Sequence, residues 1–168
     1  MTMDDHVRRG HPIMMGLLIT FAIVELSLAA WLTAQFNRHH NQSSNTERDR
    51  VRFTLFASVW TVIFASLFVV LFTLSPTGSV LSSVIAHLVF LSLTWLIWTA
   101  AAAAITENLS GGLNCSTQIR FVYCGQLNAL EAFAWIIWIL VTLSIIFVTV
   151  RGVMGSRRGN GVRSGLVA

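Results

Sequence analysis

The chain has 168 residues, of which 55% are hydrophobic and only 11% charged, and it carries a formal net charge of +4. That balance excludes a disordered polypeptide and suits a membrane protein. The basic residues are all Arg and are scattered through tails and connectors without a long stripe, so the charge does not read as a nucleic-acid surface.

Four apolar runs cover about residues 12–36, 53–74, 80–105 and 127–150. At about 1.5 Å of rise per residue, about 20 apolar residues cross the ~30 Å hydrocarbon core, and each run meets that length. The connectors at 37–52, 75–79 and 106–126 are too short to bury a catalytic core of their own. The expected fold is all-α: a transmembrane four-helix bundle, antiparallel and up-down-up-down. Its parts would be an N-terminal tail at 1–11, one four-pass domain at 12–150 and a basic, disordered tail at 151–168.

Arg8 and Arg9 precede the first run as they would in a signal peptide. The run exceeds the 7–15 apolar residues of a cleaved signal, so it reads as a retained signal anchor. One stripe of this span holds Ala22, Glu25, Ala29 and Thr33. A charge at mid-bilayer costs about 2.5–3.5 kcal/mol on the insertion scale, so Glu25 should be hydrogen-bonded or uncharged. The first connector holds His39 and His40 with no cysteine or carboxylate at ligand spacing, and a metal site there is not expected.

The second span carries Thr54, Ser58, Thr61 and Ala65 at helical spacing. The loop Ser75-Pro76-Thr77-Gly78-Ser79 is short enough to force spans two and three into an antiparallel hairpin. The third span carries His87, Leu91, Thr94 and Trp98, followed by alanines at 100–104; the fourth carries Asn128, Glu131, Trp135, Trp138 and Thr142. Steps of three and four place each set on one helix face. Lipid is as apolar as leucine, so small and hydroxylated faces are the ones expected to meet. The Trp residues crowd toward one end of the spans, and some lie too deep for an interfacial belt and should fill the core.

The two cysteines, Cys115 and Cys124, both fall in the connector between spans three and four. A disulfide closing this loop of about ten residues would contribute ~2–3 kcal/mol, and Gly111, Gly112 and Gly125 would let the chain bend around it. The alternative is a pair of free thiols. An oxidised pair places the loop outside or in the lumen and both termini in the cytoplasm. The arginine count, six against five, adds little to that choice. Three N-x-Ser sequons, at Asn41, Asn108 and Asn114, fall on the same proposed outer side as candidate glycosylation sites. The C-terminal tail either adheres to anionic lipid, at about 1 kcal/mol per Arg near the surface, or is a stop-transfer flank.

Three ionisable residues lie within the spans: Glu25, His87 and Glu131. Such groups either fix helix register by hydrogen bonding or mark a proton or cation path, as in a small transporter or channel subunit. The register role is favoured, because no span carries a Gly or Pro near its middle, where transporter sites break their helices. His87 is the one histidine within a span, so haem cannot be held between two of them. No G-x-S-x-G, H-E-x-x-H or phosphate-binding loop is present. Catalytic residues, cofactors and metals are not expected.

Several segments together resemble a known family. They are His11-Pro12, the run Val24-Glu25-Leu26-Ser27-Leu28-Ala29-Ala30-Trp31-Leu32, Arg52-Phe53, Trp60-Thr61 and Trp98-Thr99 with its alanines. The most specific runs from Asn114-Cys115 to Tyr123-Cys124-Gly125-Gln126-Leu127-Asn128-Ala129-Leu130-Glu131-Ala132-Phe133-Ala134-Trp135. Over about residues 10–152 the chain resembles the fungal branch of the MARVEL-domain, or membrane-associating domain, proteins. The resemblance implies four transmembrane helices, cytoplasmic termini and a cysteine-bearing loop between spans three and four. It also implies a role in membrane apposition, vesicle trafficking or lipid microdomains, with no catalytic residues. The expected partners are membrane lipids, further copies of the chain or other membrane proteins, in the plasma membrane or secretory pathway.

Overall fold

The computed structural model describes residues 3–74 and 84–157, with side chains from 13 to 71 and from 85 to 153. The expected hairpin loop at 75–79 and the tail beyond Arg157 lie outside the described residues. Four α-helices make up the fold: α1 (Met3–His39), α2 (Asn45–Leu74), α3 (Val84–Leu109) and α4 (Cys124–Arg157). Each contains a stretch long and apolar enough to span a bilayer, at Ile13–His39, Asn45–Leu71, Ile85–Leu109 and Cys124–Val153. Among the described residues there is no strand.

The connector between α1 and α2 is much shorter than the apolar runs imply, because both helices continue past their oily parts into capped ends. His40 takes a left-handed backbone conformation (φ 50°), and its N–H donates to the Phe36 carbonyl at 3.0 Å, closing α1. Ser44 caps α2: the Glu47 N–H donates to its Oγ at 3.1 Å. The Glu47 carboxylate turns back and accepts from the N–H and hydroxyl of Ser43, both at 2.6 Å. Ser44-Asn45-Thr46-Glu47 is thus a variant of the Ser-x-x-Glu capping box, with its return bond shifted by one residue.

The helices pack in a ring, α1 on α2, α2 on α3, α3 on α4 and α4 back on α1. Contacts step in opposite directions along neighbours, as the expected antiparallel order requires. Arg50 meets Glu107 while Phe68 meets His87, and Trp31 meets Tyr123 while Phe21 meets Phe133. Every helix buries a seam with alternating three- and four-residue steps. On α1 it is Met15, Leu18, Ala22, Glu25, Ala29, Leu32 and Phe36; on α2, Glu47, Val51, Thr54, Ser58, Thr61, Ala65 and Phe68. On α3 the seam includes His87, Leu91, Thr94, Trp98, Ala101 and Ile105, and on α4 Leu127, Leu130, Ala134, Ile137, Val141, Ser144 and Val148. A mean step of 3.5 residues is the repeat of left-handed bundle packing.

The expected inward stripes hold on α2 and α3 and for most of α1. On α4 the stripe is displaced: Trp135 is 36% exposed, and the buried seam is the apolar one beside it. The displaced stripe instead faces α3, where its indoles find acceptors. Trp138 Nε1 donates to Thr99 Oγ1 at 2.8 Å, Trp135 Nε1 to Thr106 Oγ1 at 2.9 Å, and from the other side Trp95 Nε1 donates to Thr142 Oγ1 at 3.0 Å. The α2–α3 seam repeats the device. Trp98 Nε1 donates to Thr61 Oγ1 at 2.9 Å and Trp60 Nε1 to Thr94 Oγ1 at 3.2 Å.

Two of these pairs close a circuit. Thr99 donates its own hydroxyl to the Trp95 carbonyl at 2.7 Å, and Thr142 donates to the Trp138 carbonyl at 2.9 Å. The motif Trp-x-x-x-Thr on each helix therefore gives an indole donor to its neighbour and receives one in return. A double-mutant cycle of Trp138→Phe and Thr99→Val, followed by unfolding in mixed micelles, should give a coupling of about 0.6 kcal/mol, the average for interhelical hydrogen bonds in membranes. Strict additivity would mean that the bond contributes nothing to holding α3 on α4.

Candidate functional site

Glu25 is fully buried on the α1 seam, and neither carboxyl oxygen has a hydrogen-bond partner among the described residues. It sits where the apolar core divides in two. Met15, Leu18 and Ala22 belong to one cluster; Ala29, Leu32 and Phe36 belong to the other. The same division falls between Val51 and Ala57 on α2, between Ala102 and Ile105 on α3, and between Leu130 and Ala134 on α4. Thr54, fully buried, and Glu131, half-buried, occupy the dividing level on their helices.

Alanines dominate around this level: Ala22, Ala29, Ala57, Ala101, Ala102 and Ala134 are all fully buried. Small side chains let helices approach closely, and here they leave room for one larger polar group. The nearby hydroxyls on α2 are spent within their own helix. Thr54 donates to the Arg50 carbonyl at 3.1 Å, Ser58 to Thr54 at 2.9 Å and Thr61 to Ala57 at 2.8 Å.

The three ionisable residues singled out in the sequence therefore do not form one chain. The structure brings Glu25 and Glu131 to a common level and leaves His87 apart. His87 is fully buried against Phe68, with ring centroids 4.6 Å apart. It lies about 22 Å along α3 from the dividing level at Ala102, with Leu91 and Trp98 on the seam between. No cluster of three or more His, Cys, Asp or Glu side chains suited to a metal occurs among the described residues.

The second polar concentration is the connector between α3 and α4. Here α3 ends in a left-handed turn: the Ser110 N–H donates to Glu107 O at 3.3 Å and the Gly111 N–H to Thr106 O at 3.1 Å, with φ of 57° and 81°. These are the two bonds of a Schellman cap. Gly111 supplies the bend expected of it, whereas Gly125 lies inside α4 and bends nothing. The sulfur atoms of Cys115 and Cys124 lie at bonding distance, with Cα atoms 5.7 Å apart. Asn128, one turn into α4, clamps the backbone of Leu113: it accepts from the N–H at 2.9 Å and donates to the carbonyl at 2.8 Å.

Tyr123 ties this loop to the α1 end of the bundle. Its ring packs edge-on against Trp31 at 5.1 Å and tilts against Phe36 at 5.8 Å, and its hydroxyl accepts from Asn41 Nδ2 at 3.0 Å. Arg50, half-buried on α2, donates to the Ala104 carbonyl at 2.7 Å and to Glu107 at 2.8 Å, bolting α2 to the end of α3. Of the sequon asparagines, Asn41 is held by Tyr123, Asn108 is half-buried in the last turn of α3, and Asn114 is exposed with its Oδ1 accepting from the Ser116 N–H at 3.1 Å.

Sequence reasoning missed three of these contributors. The cap at Ser44 and Glu47 was legible as a Ser-x-x-Glu signature. Asn128 falls on the expected interhelical stripe, and Arg50 reads as no more than one of the connector's charges. Their partners, the Leu113 backbone for Asn128 and the Ala104 carbonyl with the Glu107 carboxylate for Arg50, lie at least 15 residues away, where no local pattern announces them.

The bundle thus combines four spans in a ring, a core of small and apolar side chains and a tethered loop carrying both cysteines. The model of the membrane-associating domain matches residues 6–147, most of the chain. The chain belongs to the MARVEL family. The match is to the family as a whole and does not single out its fungal branch. No curated protein and no solved structure matches the chain. MARVEL is a membrane-associating family, not an enzyme family.

Replacing Cys115 or Cys124 by Ser should cost ~2–3 kcal/mol of stability through the opened loop. Asn128→Ala should cost ~1–3 kcal/mol by leaving both backbone groups of Leu113 unpaired. Thermal unfolding in detergent reads both effects, and non-reducing mass spectrometry of the loop peptide reads the disulfide. Free thiols with unchanged stability in all three variants would remove the tether.

Proposed function

We propose that this MARVEL protein is a non-enzymatic organiser of membranes, acting by lateral packing of its helices against lipid and against other membrane proteins or copies of itself. The observation that carries this reading is the division of labour within the helices. The seams are closed by Trp–Thr bonds and small residues, while Phe56, Ile63, Leu67, Val89, Leu96 and Ile146 stand 46–58% exposed along the outer faces. The outer surface is what the protein offers to its surroundings.

The oxidised loop supports a topology with that loop outside or in the lumen and both termini in the cytoplasm, in the plasma membrane or secretory pathway. Organisation of microdomains or of vesicle traffic is the finer role we assign to it.

Buried Glu25 motivates the second reading, a proton pathway or channel subunit. It is the weaker of the two, because His87 lies far from Glu25 and the hydroxyls between them already donate to their own helix. Giant vesicles with coexisting lipid phases separate the readings. The purified protein should change domain size as its density rises. A proton gradient should decay as in protein-free vesicles, for the native chain and for Glu25→Gln alike. Unchanged domains, together with a leak that Glu25→Gln abolishes, would replace the organiser with the conductor.

A further inference from the structure

The α3–α4 connector carries the most exposed large apolar side chain among the described residues. Ile119 is 101% exposed and Val122 63%. The turn that presents Ile119 is built, not slack. Gln118 folds its amide back onto Phe121, accepting from the Phe121 N–H at 2.8 Å and donating to its carbonyl at 3.0 Å. That clamp leaves Ile119 and Arg120 at the tip. Arg120 lies over the Phe121 ring at 5.3 Å, and Phe121 itself is buried, so the tip is anchored from beneath.

The tip is also close to the bilayer edge. Both flanking spans end at the connector, α3 at Leu109 and α4 at Cys124, and the Cys115–Cys124 pair holds the loop base at the α4 end. The headgroup zone adds only about 5–8 Å on each side of the hydrocarbon. Tyr123 packs on Trp31, which is 40% exposed on the outer face of α1. A Trp–Tyr pair of this kind is the composition of an interfacial belt, and Val122 and Ile119 continue directly from it.

We propose that residues 118–122 form an interfacial anchor: Ile119 and Val122 enter the headgroup–acyl boundary of the bilayer that the bundle spans, and Arg120 pairs with lipid phosphate. Apolar side chains flanking one cation suit this depth, where the hydrocarbon accepts the former and phosphate the latter. A protein partner is the alternative occupant. It is disfavoured because Val122 adjoins Tyr123 in the chain, and Tyr123 packs on the exposed ring of Trp31. The inference holds whichever side of the membrane the loop occupies.

The test is spin-label depth measurement on the purified full chain in vesicles of phosphatidylcholine, with and without phosphatidylglycerol. Ile119→Cys is labelled after mass spectrometry has confirmed the native cysteine pair. Ser116→Cys, exposed on the same loop, reports the aqueous reference, and Ile63→Cys on the outer face of α2 reports span insertion. The label at 119 should favour oxygen over a water-soluble nickel reagent, with a depth of ~5–10 Å below the water boundary, while the label at 116 shows the reverse. In the vesicles containing phosphatidylglycerol, Arg120→Gln should bring the label at 119 closer to water. A label at 119 as accessible to nickel as that at 116, in both lipid mixtures, overturns the anchor and leaves the tip for a protein partner. A water-exposed label at 63 would instead overturn the membrane-spanning reading itself. Hydrogen exchange, which needs no added thiol, provides a second measurement: amides 118–122 should be protected in vesicles, and Ile119→Ser with Val122→Ser should lose that protection. Equal exchange in the native and doubly substituted chains overturns the proposal.

Discussion

Hydrocarbon offers no hydrogen bonds, so each polar group that enters this bundle must find its partner inside the protein. The Trp–Thr pairs are the consequence. An indole is large enough to cross from one helix to the next and carries a single donor, with no acceptor to satisfy. A threonine hydroxyl can accept that donor while sending its own hydrogen to the carbonyl four residues back. Trp95, Thr99, Trp138 and Thr142 use this arithmetic in both directions at once. The indoles and hydroxyls between α3 and α4 are thereby satisfied and fixed in register, and the aliphatic side chains are free to face outward.

That constraint also explains which parts of the structure were legible in the sequence. Span number and rough length followed from counting apolar residues, because hydrocarbon thickness sets both. The inward faces of α2 and α3 followed from small and hydroxylated residues at helical spacing. The face of α4 did not, since Trp135 and Trp138 are polar enough to mark a seam yet large enough to reach it from beside the core. On that helix the innermost positions went to Leu127, Ala134, Ile137 and Val141. Helix ends differ from the apolar runs for another reason: hydropathy stops at the oil, while capping continues the helix into water, as at Ser44 and His40.

The candidate site was legible only in its ingredients. Two cysteines nine apart suggested a closed loop, and the geometry brings their Cα atoms to 5.7 Å. Nothing in the sequence distinguished Asn128, which grips the backbone of Leu113, from an asparagine bonding across helices. Nor did it distinguish Phe121, buried under Arg120, from Ile119, turned fully outward. The alternation of polar and apolar residues across 118–121 is compatible with several turns; the amide clamp of Gln118 selects one of them.

Glu25 departs from the rule of internal partnering, and its surroundings give it a steric rationale. The level it occupies is walled by alanines on all four helices, so the carboxyl fills space that leucine fills elsewhere on the seam. Sliding α1 by one heptad would move Glu25 toward the level of Leu18, where the neighbouring seams carry Trp98 and Ile137, or of Leu32, where they carry Ile105 and Leu127. A polar group among those bulky side chains would cost more than among methyl groups, both in volume and in desolvation. One ill-suited residue thus penalises wrong registers more than the native one, as a lone polar residue does in a coiled-coil seam. Glu131, half-buried at the same level and nearer the lipid face, can reach the interface by bending outward. It therefore does not share that constraint, so the two carboxyls at one level have different physical reasons for being there.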